Sequence, residues 1–295
     1  MASRLATATR RARAAARRRL KARLGPASAN GVPGAENDSA AAIADSELWP
    51  LRDLYEQKFG LEPISYATVR DYADSTENMP GLAAASADMK NVQRCWMVKA
   101  VLGNVERGGR LVEIGAGEPL VAGLLARLGY EVTVVDPYDG SGNGPREYSQ
   151  FTRAYPDLRF VRDQFPPAEG LDGPYDCVYS ISVLEHVPLD AIEGLIAGAA
   201  AAVGERAGCQ IHAVDHVLAG WSADSHRQGL DRIVAGLGLD AGRLEQAIGE
   251  MERDPETYLV SAEAHNQWRG AVPYDSYPMR RIGSVNLFSG SRGSR

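Results

Sequence analysis

The chain has 295 residues, 38 acidic against 32 basic side chains, a net charge of −6 and 44% hydrophobic residues, enough for one α/β domain with a well-buried core plus additions. No apolar run approaches the roughly 20 residues that a membrane span needs. Three isolated cysteines, with no CxxC pair, exclude a disulfide framework and a thiolate zinc site. A reducing cytoplasm is the expected compartment. Residues 1–25 carry nine basic side chains and no acid. With those nine removed, the balance of −6 falls to about −15, so the remaining domain is too acidic for a nucleic-acid surface.

The basic arm and the Ala, Gly, Asn and Ser-rich linker after it read together as a flexible extension over 1–45. The arm could touch an anionic surface, and its composition also resembles an organellar transit peptide. Residues 46–295 read as one domain, with a helical cap at 46–108, a core at 109–220, a helical and loop region at 221–282 and a last strand at 283–290. In the cap, residues 47–59 place Leu48, Leu51, Leu54 and Tyr55 on one helical stripe, and 88–105 does the same with Val92, Trp96, Val98, Val101 and Leu102. Between them, residues 70–75 fit either a lid or an ordinary helix end.

Residues 110–136, RLVEIGAGEPLVAGLLARLGYEVTVVD, read as strand, glycine turn, helix, second strand and terminal acid. The first strand is apolar except for Glu113, as a buried parallel strand is. Gly115-Ala116-Gly117 lets the backbone turn tightly and approach a ligand closely. Pro119 suits a helix start and Gly129 a helix stop. Asp136 ends the second strand, where a carboxylate accepts hydrogen bonds from both ribose hydroxyls of an adenosyl ligand. A dinucleotide site wants a third glycine so that the pyrophosphate meets the helix N-terminus. Here Glu118, Pro119 and Leu120 occupy that region, and the acids Glu113 and Glu118 favour a cationic ligand.

This stretch resembles motif I of class I S-adenosylmethionine-dependent methyltransferases, acid-x-Gly-x-Gly-x-Gly, with Glu113, Gly115 and Gly117 matching and Pro119 replacing the third glycine. Tyr175–Val187, YDCVYSISVLEHV, resembles the fourth strand and following loop of the same family, and Val161-Arg162-Asp163 its short third strand with a terminal acid for the adenine. The resemblance covers residues 90–215 and implies a doubly wound, mostly parallel seven-stranded Rossmann-like α/β sheet whose last strand is antiparallel. It also implies S-adenosylmethionine as cofactor and S-adenosylhomocysteine as product, held by Glu113, Gly115, Ala116, Gly117, Asp136, Asp163 and Ser180. An NAD(P)-dependent Rossmann oxidoreductase and a non-catalytic S-adenosylmethionine-binding protein remain open. Core strands are expected at 111–114, 132–135, 160–161, 177–180 and 210–214, and two final strands at 258–262 and 284–288. An insertion after the fifth strand holds a polar helical stretch, 222–253.

Ligands in open α/β sheets lie outside the carboxyl ends of the strands, so a base for a hydroxyl acceptor is expected there. Asp215 and His216, read as lying just past the fifth strand, are the first candidates, with His186 in the preceding loop as the other. His212 reads as a core histidine. His226 could join Asp215 and His216 at a metal, but the spacing matches no defensible metal pattern, and no metal is assigned. Residues 262–270, with Tyr274 and Tyr277 beyond, are rich in aromatics and hydrogen-bonding groups, which suits a small or glycan-like acceptor. From Asp215 onward the chain is similar to bacterial methyltransferases of polysaccharide and secondary-metabolite pathways. The resulting expectation is a cytoplasmic O-methyltransferase, its oligomeric state open.

Overall fold

The computed structural model describes residues 45–56, 59–83, 89–141, 144–204, 208–220, 222–260 and 279–290. The basic arm, the linker and the aromatic stretch at 262–277 lie outside the described residues. Helix α1 (Asp45–Tyr55) is followed by strand β1 (Ile64–Tyr66), α2 (Val69–Asn78), α3 (Pro80–Ala83) and α4 (Lys90–Asn104). The alternating core runs β2 (Arg110–Ile114), α5 (Leu120–Arg127), β3 (Glu131–Val135), α6 (Tyr148–Ala154), β4 (Arg159–Val161), β5 (Cys177–Ile181), α7 (Ile192–Val203) and β6 (Cys209–Gly220). Helices α8 (Ala223–Gly236) and α9 (Ala241–Arg253) and strand β7 (Met279–Gly290) complete the order.

The seven strands form one sheet in the order β1-β7-β6-β5-β2-β3-β4. β2 pairs parallel with β3 and β5, β3 with β4, and β5 with β6, whereas β7 runs antiparallel to both β6 and β1. The chain therefore winds outward from β2 in both directions, and the crevice between β2 and β5 is the switch point at which such sheets bind ligands. One face buries Leu111, Tyr179 and Ile211 under α1, α4, α5 and α6. The other buries Val112, Val178, Val214 and Leu287 under α7, α8 and α9.

Two departures from the expected elements matter for the site. First, the seventh strand is β1, and no strand forms over 258–260, the described part of the expected strand at 258–262. The three residues of β1 follow Pro63 and are too few to show an alternating pattern, yet they add to the outer edge with Ile64 opposite Leu287 and Tyr66 opposite Val285. Within 257–260 only isolated bridges form, Thr68 with Thr257 and Leu259 with Gly283. Second, β6 does not end at Val214. Its pairing with β5 stops at Ile181 opposite Ala213, but its ladder with β7 continues through Gly220 opposite Met279. The polar pair Asp215-His216 reads as a strand end in sequence because nothing local shows that β7 is there to extend it.

Smaller elements follow local chemistry. Residues 70–75 fall within α2, whose capping box joins Thr68 and Asp71. The helical stretch at 222–253 splits into α8 and α9 at Gly238, whose φ of 67° favours glycine, and Asp240 caps α9 by accepting from Arg243 N. Both helices bury an apolar side, including Leu230, Ile233, Leu244 and Met251, against the sheet.

Because Ile64 is 3% exposed and faces Leu287, Ile64→Ala is expected to cost about 2–5 kcal/mol in urea unfolding, as core truncations do. A loss below about 0.5 kcal/mol, the level of an ordinary surface change, would show that β1 lies outside the cooperative unit.

Candidate active site

At the carboxyl end of β2, Gly115 and Gly117 adopt φ of 63° and 57°, the left-handed region in which a side chain is strained. A Cβ on Gly115 would lie 2.9 Å from Val183 Cγ2, so the turn is pressed against the loop after β5. Gly117 is open by comparison, its nearest would-be neighbour being Pro145 Cδ at 3.6 Å. Asp136, just past β3, clasps the turn. Its Oδ2 accepts from Gly117 N at 3.0 Å and its Oδ1 from Tyr138 N at 2.8 Å, while Tyr138 Oη donates to Gly117 O at 3.0 Å. Burial raises the Asp136 pKa, opposed by those two N–H donors. Each carboxylate oxygen keeps further lone-pair capacity. An open backbone turn beside an anchored carboxylate fits a nucleoside with a vicinal diol.

Two other expected cofactor residues turn away from the crevice. Glu113 faces the interior: its Oε2 accepts from Ala122 N and Tyr179 Oη, both at 3.1 Å. It thereby caps the first turn of α5, which lacks a side-chain cap of its own. Burial pushes its pKa up to about 7. Its carboxyl joins α5 to β5 inside the core. Ser180 is wholly buried, with Oγ 2.8 Å from His212 Nδ1 on the neighbouring strand, so its side chain is also removed from the crevice. His212 is the expected core histidine, but its Nε2 has no partner among the described residues and burial lowers its pKa to about 3. Asp163 does stand exposed at the end of β4, where its carboxylate accepts from Gln164 N at 2.8 Å and Ala168 N at 3.3 Å.

The strand ladder separates the two leading candidates for the base. Successive residues of a strand point to opposite faces, and Asp215 and His216 both lie inside β6. Asp215 turns toward α4, where its Oδ1 accepts from Gln93 Nε2 at 2.9 Å and lies 3.1 Å from Ser182 Oγ. Ser182, held at φ 52° just past β5, donates to Gln93 Oε1 at 2.7 Å, and Gln93 Nε2 also reaches Ser284 Oγ at 3.1 Å. His216 turns to the opposite face, where it is 4% exposed. Burial first, then the charges of His226 and Arg227, lower its pKa to about 4, and its Nδ1 has no partner among the described residues. Asp215 and His216 therefore do not form one acid–base unit.

A family model of the methyltransferase domain matches residues 89–275, which contain the glycine turn, Asp136, Asp163, the β5 loop and β6. The chain belongs to the class I S-adenosylmethionine-dependent methyltransferase family. No curated protein matches the sequence. Among solved structures, a geranyl diphosphate methyltransferase bound to GPP and sinefungin is 12% identical, over 86% of this chain and 97% of that one, with a TM-score of 0.44. The [4+2]-cyclase SpnF is 14% identical over 78% and 99%, with a TM-score of 0.43. A Burkholderia thailandensis 1,6-didemethyltoxoflavin-N1-methyltransferase with bound S-adenosylhomocysteine is 14% identical over 76% and 87%, with a TM-score of 0.39.

In this methyltransferase the loop after β5 brings further groups to the Asp215 edge. A 3₁₀ turn over Leu184–His186 exposes His186 and turns Glu185 inward. Both Glu185 carboxylate oxygens are buried without a partner among the described residues, and burial together with the facing Asp215 charge raises the Glu185 pKa well above the usual range. Although His186 is open to solvent on one side, desolvation by its loop lowers its pKa, with the Asp215 charge opposing. His226 of α8 brings Nδ1 within 3.1 Å of Asp215 O. Sequence reasoning missed Gln93, Ser182 and Glu185. Only Ser182 and Glu185 carried a signal, since both lie in the motif-like stretch after β5. Among the described residues no group of three or more His, Cys, Asp or Glu is placed to hold a metal ion. No described helix is long and apolar enough to cross a membrane.

Glu113 has a folded-state pKa of about 7 against 4.5 for the free side chain, so its contribution to stability is fully present below pH 4.5 and is lost as pH rises through 7. Glu113→Gln keeps an acceptor for Ala122 N without that titration. The stability of the variant relative to the native chain is therefore expected to improve between pH 4.5 and 7.5, by on the order of a few kcal/mol. Urea midpoints that move in parallel across this range would contradict the placement.

Proposed function

We propose that this methyltransferase moves a methyl group from S-adenosylmethionine to a hydroxyl of a small or glycan-like acceptor in the cytoplasm. The observation that carries the cofactor placement is the Asp136 clasp on an open, left-handed glycine turn at the switch point of the sheet. Gly115, Ala116 and Gly117 would lie along the nucleoside and methionine portions, Asp136 would accept from the ribose hydroxyls and Asp163 from the adenine amino group. When bound, the cofactor supplies an electrophilic methyl group on a sulfonium. Pro119 and Glu118 in place of a third glycine favour this cationic ligand over a pyrophosphate.

What the chain adds is alignment and proton handling. His186 is exposed at the same edge, and its lowered pKa keeps the imidazole neutral, and so able to accept a proton, at neutral pH. The acceptor hydroxyl would give its proton to this imidazole as its oxygen takes the methyl group. Asp215, held by Gln93 and Ser182, would stabilise the imidazolium that results. The hydroxyl and glycan-like character of the acceptor is supported by the Asn, Gln, Arg and aromatic residues in the sequence at 262–277, and the cytoplasmic location by the isolated cysteines.

Release of S-adenosylhomocysteine, followed over a panel of hydroxylated and amine-bearing small molecules and sugars, tests the acceptor class. Turnover confined to amines would remove the hydroxyl assignment. Asp136→Ala is expected to weaken S-adenosylmethionine binding at least tenfold by calorimetry, because charge-assisted hydrogen bonds of roughly 1.5–3 kcal/mol each are lost.

Once an acceptor is found, His186→Ala should cut turnover by about 10²–10⁴-fold while leaving cofactor affinity within about threefold. His216→Ala should leave turnover within a factor of about three, since a buried ring on the opposite face contributes packing alone. The native rate should rise with pH and level off below 6.5, the side to which the His186 pKa is shifted. Equal losses in the two histidine variants would refute the separation of faces.

A further inference from the structure

Beside Asp215 the sheet edge carries an apolar cluster that the proton transfer to His186 does not use. Ala67, Met89 and Val92 are buried in it, and Tyr72, Tyr258 and Val260 pack against them while remaining partly exposed. The Tyr72 and Tyr258 rings lie 5.0 Å apart, tilted by 34°. A continuous run of hydrogen bonds ties this pair to Asp215. Gln93 Nε2 donates to Asp215 Oδ1 at 2.9 Å and to Ser284 Oγ at 3.1 Å. Ser284 O accepts from Ala67 N at 3.0 Å, and Ala67 O accepts from Tyr258 N at 2.9 Å. Val92, one residue before Gln93 on α4, anchors the cluster to the same helix. The polar floor at Asp215 therefore has an aromatic wall next to it.

Such a wall selects among hydroxylated acceptors. A flat ring packs offset or edge-on against tyrosine, whereas the hydroxyls of a sugar laid there would lose water and gain no partner from Val260 or the ring faces. Acidity points the same way. Desolvation lowers the His186 pKa, which makes the imidazole a weak base suited to an acidic proton. A phenol titrates near about 10, as tyrosine does, while an aliphatic hydroxyl holds its proton about as tightly as water, near 15.7, a difference of roughly five orders of magnitude. We propose that the acceptor is a phenol, its ring lying against the exposed edges of Tyr72 and Tyr258 and its hydroxyl directed to His186. This narrows the acceptor class and rests on the reading of His186 as base for a hydroxyl.

Release of S-adenosylhomocysteine by the full chain would be compared for 2-naphthol, 2-naphthalenemethanol, methyl glucoside and benzylamine. The first two share a ring and differ in whether the hydroxyl is phenolic. 2-Naphthol should be favoured over 2-naphthalenemethanol by at least about 100-fold in kcat/KM. Tyr258→Ala should raise the KM for 2-naphthol by about 3- to 10-fold, with the milder Tyr258→Leu between it and the native chain. S-adenosylhomocysteine affinity by calorimetry, expected within about threefold of native, shows that each variant keeps its fold. Equal turnover of the two naphthalene compounds, preference for methyl glucoside, or no turnover of 2-naphthol would overturn the phenol assignment. An unchanged KM in Tyr258→Ala with a lowered urea midpoint would make the tyrosine pair core packing and overturn its role. Turnover of benzylamine alone would instead remove the hydroxyl reading itself, a result distinct from the others.

Discussion

The β6–β7 ladder is the constraint on which the rest of the site depends. A parallel sheet alone would end near Ala213, where β5 runs out. The antiparallel partner continues beyond that edge and keeps β6 extended through Gly220. Three consequences follow from this one pairing. The side-chain period of two sends Asp215 and His216 to opposite faces. Ser284 is brought to Gln93, so that α4 is tied to both strands. β1 gains an edge to join, which seats the start of the cap directly on the sheet.

Burial sets the electrostatics around the crevice. Glu113, Glu185, His212 and His216 all shift toward their neutral forms because water has been removed from around them. Asp136 and Asp163 accept from backbone N–H groups just past the ends of β3 and β4. Converging donors oppose burial: the N–H groups of Gly117 and Tyr138 offset part of the rise that burial gives Asp136. Glu113 is a second case, an acid whose two donors offset part of its burial.

Helix α4 links the two halves of the crevice. Its first turns supply Gln93 to Asp215 and Ser182, while its later residues, Met97, Val98, Val101 and Leu102, are fully buried in the core. A polar end on an apolar anchor places these contacts on a rigid element, which favours the fixed alignment that in-line methyl transfer requires. Ser182 at φ 52° adds local strain at the same point, held by its hydrogen bond to Gln93.

The sequence by itself determined the alternating strand–helix core, the glycine turn and the acid after the second core strand. Each of these is a local pattern of period, turn chemistry and spacing that survives in any packing. Gly115, Gly117 and Asp136 stand together at the switch point as their spacing requires, and their positive φ values and hydrogen bonds agree with that reading. Tertiary structure alone decided which way the polar residues point. Glu113 and Ser180 share strands with residues at the crevice, but alternation and neighbouring strands turn their side chains into the core. The extent of β6, the edge position of β1 and the separation of Asp215 from His216 were decided by β7, a partner at least 59 residues away in sequence. No window of local sequence contains the hydrogen bonds of a ladder whose second strand lies that far along the chain.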